Sequence, residues 1–132
     1  MDDADRIYDN TKVMVRDVPG RGRGLIAAQN IGAGDVIVSA PVLVLSGVEY
    51  YLMRILPCIM HTFVWERPQA EGGETAAIAF GLVSLCNHSE ENANAKAVRV
   101  FEAERLDLVA LKPIDAGTEI LIQYRSVPFE PQ

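Results

Sequence analysis

The side chains with chemical potential fall in a few short runs. Arg21-Gly22-Arg23-Gly24 sets glycines between guanidinium groups. Glycine lets a backbone approach a ligand closely, and the same run also suits a plain β-turn. It is not a dinucleotide-binding fingerprint, because a third spaced glycine is missing and the next residues read as strand. Asn87-His88-Ser89 combines turn formers with an imidazole. Asn and Ser bond nearby backbone, so the run reads as a turn whose histidine is either a satisfied structural group or a ligand contact. Cys58-x-x-His61 and Cys86-x-His88 together contain zinc-competent side chains. Cys-x-His is shorter than usual ligand spacing, and Cys58 and His61 sit in an apolar run where buried thiols are common, so no metal is expected. A thiol enzyme would need Cys86 activated by a histidine. Tyr124 closes the run Glu119-Ile120-Leu121-Ile122-Gln123-Tyr124, where a phenol either packs or presents its hydroxyl to a site.

The elements that must position these groups are short. Lys12 to Val18 is β-branched and partly alternating, a strand. Pro19 to Gly24 reads as a turn or loop, and Leu25 to Ala28 as a second strand. Val36 to Ser39 and Pro41 to Leu45 read as strands separated by a proline that suits an edge or a bend. Ser46 can cap a helix running through Leu56 and ended by Pro57. Ile59 to Trp65 reads as a strand, Arg67 to Glu74 as a loop, and Thr75 to Leu85 as a strand or a short helix. Ala95 to Phe101 and Arg105 to Leu111 suggest a hairpin around Glu102-Ala103-Glu104, with a last strand from Glu119 to Tyr124. Many short strands, frequent glycine turns and little helix predict a mostly β fold.

The chain has 132 residues, enough for a single domain with its own core. Its 49% apolar content excludes a disordered chain, and no run is long and apolar enough to span a membrane as a helix. The acidic start, Met1-Asp2-Asp3-Ala4-Asp5, does not resemble a secretory signal. Cys58 and Cys86 are too few for a disulfide framework, so reduced thiols and an intracellular setting, cytoplasmic or nuclear, are expected. A net charge of −6 leaves no basic footprint for nucleic acid. It suits a basic protein partner, or serves only to keep the chain soluble.

Three segments, in order, resemble the SET domain, the fold of a large family of protein lysine methyltransferases. Gly22-Arg23-Gly24-Leu25-Ile26-Ala27, followed by Ile31, Gly34, Asp35, Val36, Ile37 and Pro41, is similar to the family's opening. Ala76 to Leu85, small and apolar with Gly81 and Ser84, is similar to the approach to its Asn-His-Ser turn. Gly117 to Tyr124 is similar to its Gly-led strand ending in tyrosine. The resemblance covers residues 12–124, leaving 1–11 as an N-terminal extension and 125–132 as a short tail. The chain departs from the pattern after Ser89, where Glu90-Glu91-Asn92-Ala93-Asn94 replaces the usual Pro-Asn and Asn94-Ala95 is the nearest counterpart.

The resemblance implies small curved sheets, few short helices and a C-terminal pseudoknot that brings Asn87 and Tyr124 together. It implies S-adenosylmethionine as cofactor, with S-adenosylhomocysteine as product. Gly22, Arg23, Gly24, Asn87 and His88 would contact the cofactor, largely through backbone, and Tyr124 would be catalytic. Phe129, in the tail, is a further candidate wall for the cofactor or lysine channel. The implied substrate is a lysine of a basic protein or peptide, possibly a histone tail. It would dock as an added strand, and the chain is a possible homodimer. The alternative is a SET-like module that binds protein with little or no catalysis.

Overall fold

The computed structural model describes residues 8–56, 62–66 and 74–123. The fold is mostly β, in curled sheets with few helices. Strands β1 (Val13–Val18) and β2 (Gly22–Ala27) form an antiparallel hairpin with Val18 opposite Gly22. The expected loop from Pro19 to Gly24 is therefore shorter than its glycine content suggests, because β2 begins at Gly22. Gly20 and Gly22, at φ +83° and +78°, turn the chain, a conformation that an L side chain resists.

The larger sheet has the order β4-β5-β3-β8-β7-β9-β6. Its strands are β3 (Val36–Val44), β4 (Phe63–Glu66), β5 (Glu74–Ala79), β6 (Asn87–His88), β7 (Ala95–Val100), β8 (Arg105–Ala110) and β9 (Leu121–Ile122). The two strands expected on either side of Pro41 are one. β3 pairs with β8 as far as Pro41 and with β5 from Val42 onward. Proline has no N–H to give, and it stands where the chain changes partner. Its carbonyl still accepts from Phe80 at 3.0 Å, and Val42 donates to the Glu104 carbonyl at 3.0 Å. Trp65, fully buried on edge strand β4, meets Phe101 edge-on at 5.3 Å, just beyond β7. Arg99 on β7 also donates to the Val64 carbonyl. β4 and β7 are not neighbours in the strand order, so the sheet must curl to bring them together, in keeping with its twist. Leu25, Ile37, Val38, Val83, Leu106, Leu108 and Ile120 fill the interior.

Helix α1 (Gly47–Met53) starts as expected at Ser46. The Ser46 hydroxyl accepts from the Glu49 N–H at 3.1 Å, and the Glu49 carboxylate accepts from the Ser46 N–H at 2.8 Å. It ends before Leu56 and buries none of its residues. Thr75 to Leu85 resolves into both of its readings, strand β5 and then a 3-10 helix at Leu82–Leu85. The hairpin of β7 and β8 turns around Glu104, whose φ is +49°. Among the described residues no helix is long and apolar enough to cross a membrane.

Two connections bring distant parts of the chain together. β9 runs parallel to β6, with Asn87 opposite Leu121 and His88 opposite Ile122. Just before it, Ile120 donates to the Leu25 carbonyl at 2.8 Å, and Ala27 donates to the Thr118 carbonyl at 2.9 Å. The stretch from Gly117 to Ile122 is thus held by β2 on one side and by β6 and β7 on the other. A parallel pair needs a long connection, and the β7–β8 hairpin lies within it.

Candidate active site

A cavity of about 230 Å³ opens where the β1–β2 turn, the 3-10 helix, β6 and β9 converge. Arg21, Arg23, Thr62, Phe63, Ser84, Leu85, Cys86, Asn87, His88 and Ile122 line it. Three of the residues expected to hold a cofactor, Arg23, Asn87 and His88, therefore share one wall system. Gly22 and Gly24 are not among the lining residues. Gly24 is buried, and its role is spatial. A Cβ there would lie 2.6 Å from Glu119 Oε2, 2.7 Å from Val18 Cγ2 and 3.1 Å from Asn87 Nδ2. Tyr124 and Phe129 lie outside the described residues, as do Cys58 and His61. Ile122, on the cavity wall, stands two residues before Tyr124 in the sequence.

Asn87 is held from both sides. Its side-chain amide donates to the Arg23 carbonyl at 3.0 Å and to Glu119 Oε2 at 2.8 Å. The other carboxylate oxygen of Glu119 accepts from Arg21 at 2.5 Å. The Glu119 side chain is only 12% exposed, whereas that of Arg21 is half exposed. Such charge-assisted bonds are the strong ones, and partial burial weakens their screening by salt.

Asn94 secures the segment that carries Glu119. Its Nδ2 donates to the Glu119 carbonyl, and its Oδ1 accepts from the Leu121 N–H, both at 2.9 Å. Its own N–H donates to the Leu121 carbonyl. Buried polar groups must find partners, and Asn94, 6% exposed, finds them in the C-terminal strand.

Sequence alone does not single out Arg21, Glu119 or Asn94 as site residues. Glu119 carries a usable signal, a carboxylate ahead of the apolar run Ile120-Leu121-Ile122. Its partner Arg21 stands 98 positions away, which no local pattern reveals.

Cys86 is also explained by its surroundings. Its thiol donates toward the Ile120 carbonyl at 3.3 Å. Burial, reinforced by the negative charge of Glu119, pushes its pKa up to about 12. The thiol stays protonated at neutral pH and is a poor nucleophile there. Among the described residues no cluster of three or more His, Cys, Asp or Glu side chains is arranged to hold a metal ion.

The cavity therefore offers the Arg23 guanidinium, apolar walls from Phe63, Leu85 and Ile122, and a fixed amide from Asn87. Arg21 is paired with Glu119, so in a chain of net charge −6 it is Arg23 that favours a ligand with an anionic group.

Comparison with known proteins gives this arrangement a family. Among solved structures, the chain resembles a candidate histone methyltransferase of Plasmodium falciparum, with a TM-score of 0.66 and 18% identity. That match covers 90% of this chain and 97% of the other. It also resembles the CpSET8 protein of Cryptosporidium, with a TM-score of 0.66 and 19% identity, covering 85% of this chain and 56% of the other. At such identities the likeness speaks for the fold. No curated protein matches the chain. The SET-domain family model matches residues 22–125, from the first residue of β2 to beyond β9. The match takes in the cavity lining apart from Arg21, the Asn87 clamp and the strand leading to Tyr124, and the chain belongs to the SET-domain family.

Proposed function

We propose that this chain transfers a methyl group from S-adenosylmethionine to the ε-amine of a lysine in a basic protein or peptide, with a histone tail as the first substrate to try. The observation that carries the reading is the convergence of Arg23, Asn87 and His88 on one cavity beside the strand that leads to Tyr124. The lining residues fit the cofactor's chemistry. A guanidinium suits its carboxylate, and apolar side chains suit its adenosine. Arg23, Asn87 and His88 would hold it, with Gly22 and Gly24 setting the backbone beside them.

When bound, S-adenosylmethionine supplies an activated methyl on sulfur. The protein's own task is to present a lysine nitrogen with a free lone pair. A lysine amine has a reference pKa of about 10.4, so it arrives protonated. Apolar surroundings disfavour the ammonium and promote loss of its proton. The Tyr124 hydroxyl is assigned the orientation of that nitrogen. Holding two reactants in line can contribute several kcal/mol, roughly 7–11 in the best intramolecular cases. No covalent enzyme intermediate is required. The peptide would add as an extended strand, where main-chain bonds give affinity and side-chain pockets give specificity.

Titration calorimetry with S-adenosylmethionine tests the assignment of the cavity. Wild-type protein is expected to bind, and Asn87→Ala to bind about tenfold more weakly or worse. Equal affinity in the two proteins would remove Asn87 from the cofactor site. Binding without methyl transfer to any substrate would favour the reading as a protein-binding SET-like module.

A further inference from the structure

We propose that Glu119 is a positioning residue of the cofactor site, a role that rests on the functional reading above. It does not line the cavity. It acts through Asn87 and Arg21, which do.

A side-chain amide has two N–H donors on nitrogen and acceptor capacity on oxygen, and either end can in principle face a given neighbour. At Asn87 the choice is settled by the partners. The Arg23 carbonyl and Glu119 Oε2 are both acceptors, and both accept from Nδ2. A flipped amide would set its oxygen against two other oxygens. Nitrogen therefore points to the Arg23 carbonyl and Glu119, and the Asn87 oxygen points away from them.

Glu119 can impose that choice because it cannot turn. Its second oxygen is bound by Arg21, its main-chain carbonyl accepts from Asn94 at 2.9 Å, and its backbone bridges to Ile26. The packing leaves room for this arrangement and little more. Gly24 faces the carboxylate so closely that a single added carbon would meet Oε2 at 2.6 Å. One carboxylate thus fixes two cavity-lining residues drawn from distant parts of the chain.

Glu119→Gln tests the proposal with little change of shape. A glutamine can accept from Asn87 or from Arg21 through its oxygen, but its NH₂ end must then face the other donor. The first readout is the Asn87 side-chain NH₂ resonances in ligand-free protein, assigned by their loss in Asn87→Ala. They are expected to move in Glu119→Gln and in Arg21→Ala. The second readout is affinity for S-adenosylmethionine. It is expected to fall about tenfold in Glu119→Gln. The double variant Arg21→Ala/Glu119→Gln should be no weaker than Glu119→Gln, as befits members of one network.

Asn87 resonances in Glu119→Gln that superimpose on wild type would overturn the proposal. So would an unchanged affinity in that variant while the wild type binds. A wild type that fails to bind would count against the functional reading, and the amide resonances would still decide the role of Glu119.

Discussion

Gly24 and Cys86 are small residues next to the same carboxylate, and each makes a testable claim. Gly24 adopts no unusual backbone angle and is needed for space, since a Cβ would strike Glu119 and Val18. Gly24→Ala is expected to cost about 1–3 kcal/mol in denaturant unfolding, the usual range for overpacking, and to weaken cofactor binding with it. Cys86 carries a raised pKa, so the folded state holds its proton more tightly than the unfolded chain does. The linked stability is fully present below pH 9, the ordinary thiol value, and is lost as pH rises toward about 12. Unfolding free energy measured across that window should fall more steeply in the wild type than in Cys86→Ala. At this scale the sequence is partly legible. The Gly-x-Gly run and Asn-His-Ser announce themselves by residue type. The reason for Gly24 does not, because its neighbour Glu119 comes from the far end of the chain.

The elements are more legible than their partners. Ser46 and Glu49 form a capping box readable from four consecutive residues, and the helix starts where they place it. Ser46→Ala should cost about 1 kcal/mol, measured by the shift in denaturant midpoint. Pro41 reads locally as a break, yet β3 runs through it, because the strand exchanges β8 for β5 at the residue lacking an N–H. That exchange is a property of the sheet and not of the local sequence. In the sequence, Asn94 stands out only as a displaced counterpart of a family motif. The structure makes it the fastening of the C-terminal strand. Asn94→Ala strands the Leu121 N–H without its acceptor, in a part-buried setting where such a loss costs about 1 kcal/mol or more. The variant is expected to lower both thermal stability and affinity for S-adenosylmethionine. A variant that kept both would separate Asn94 from the site.

At the scale of the molecule, one sheet curls until its edge strand meets the end of β7, and a C-terminal segment is pinned between β2 and β6. This brings the turn at Arg21 to Glu119 and the amide of Asn87 to the Arg23 carbonyl. Alternation and turn signals reveal a β-rich fold, but they do not reveal a parallel pair reached across the whole β7–β8 hairpin. The resemblance of three segments to a known family supplies that expectation. The net charge of −6 belongs to this scale too. If the acidic surface draws in a basic peptide, raising salt should raise KM for the peptide while leaving kcat nearly unchanged, because long-range attraction between exposed charges is screened.

The central claim is methyl transfer, and transfer of labelled methyl from S-adenosylmethionine to core histones or a basic protein extract tests it most directly. Label is expected on lysine with wild-type protein. Tyr124→Phe should lose about a hundredfold in rate while still binding the cofactor, the loss usual when a reacting group is no longer held in line. No label on any substrate, or full activity in Tyr124→Phe, would contradict the account.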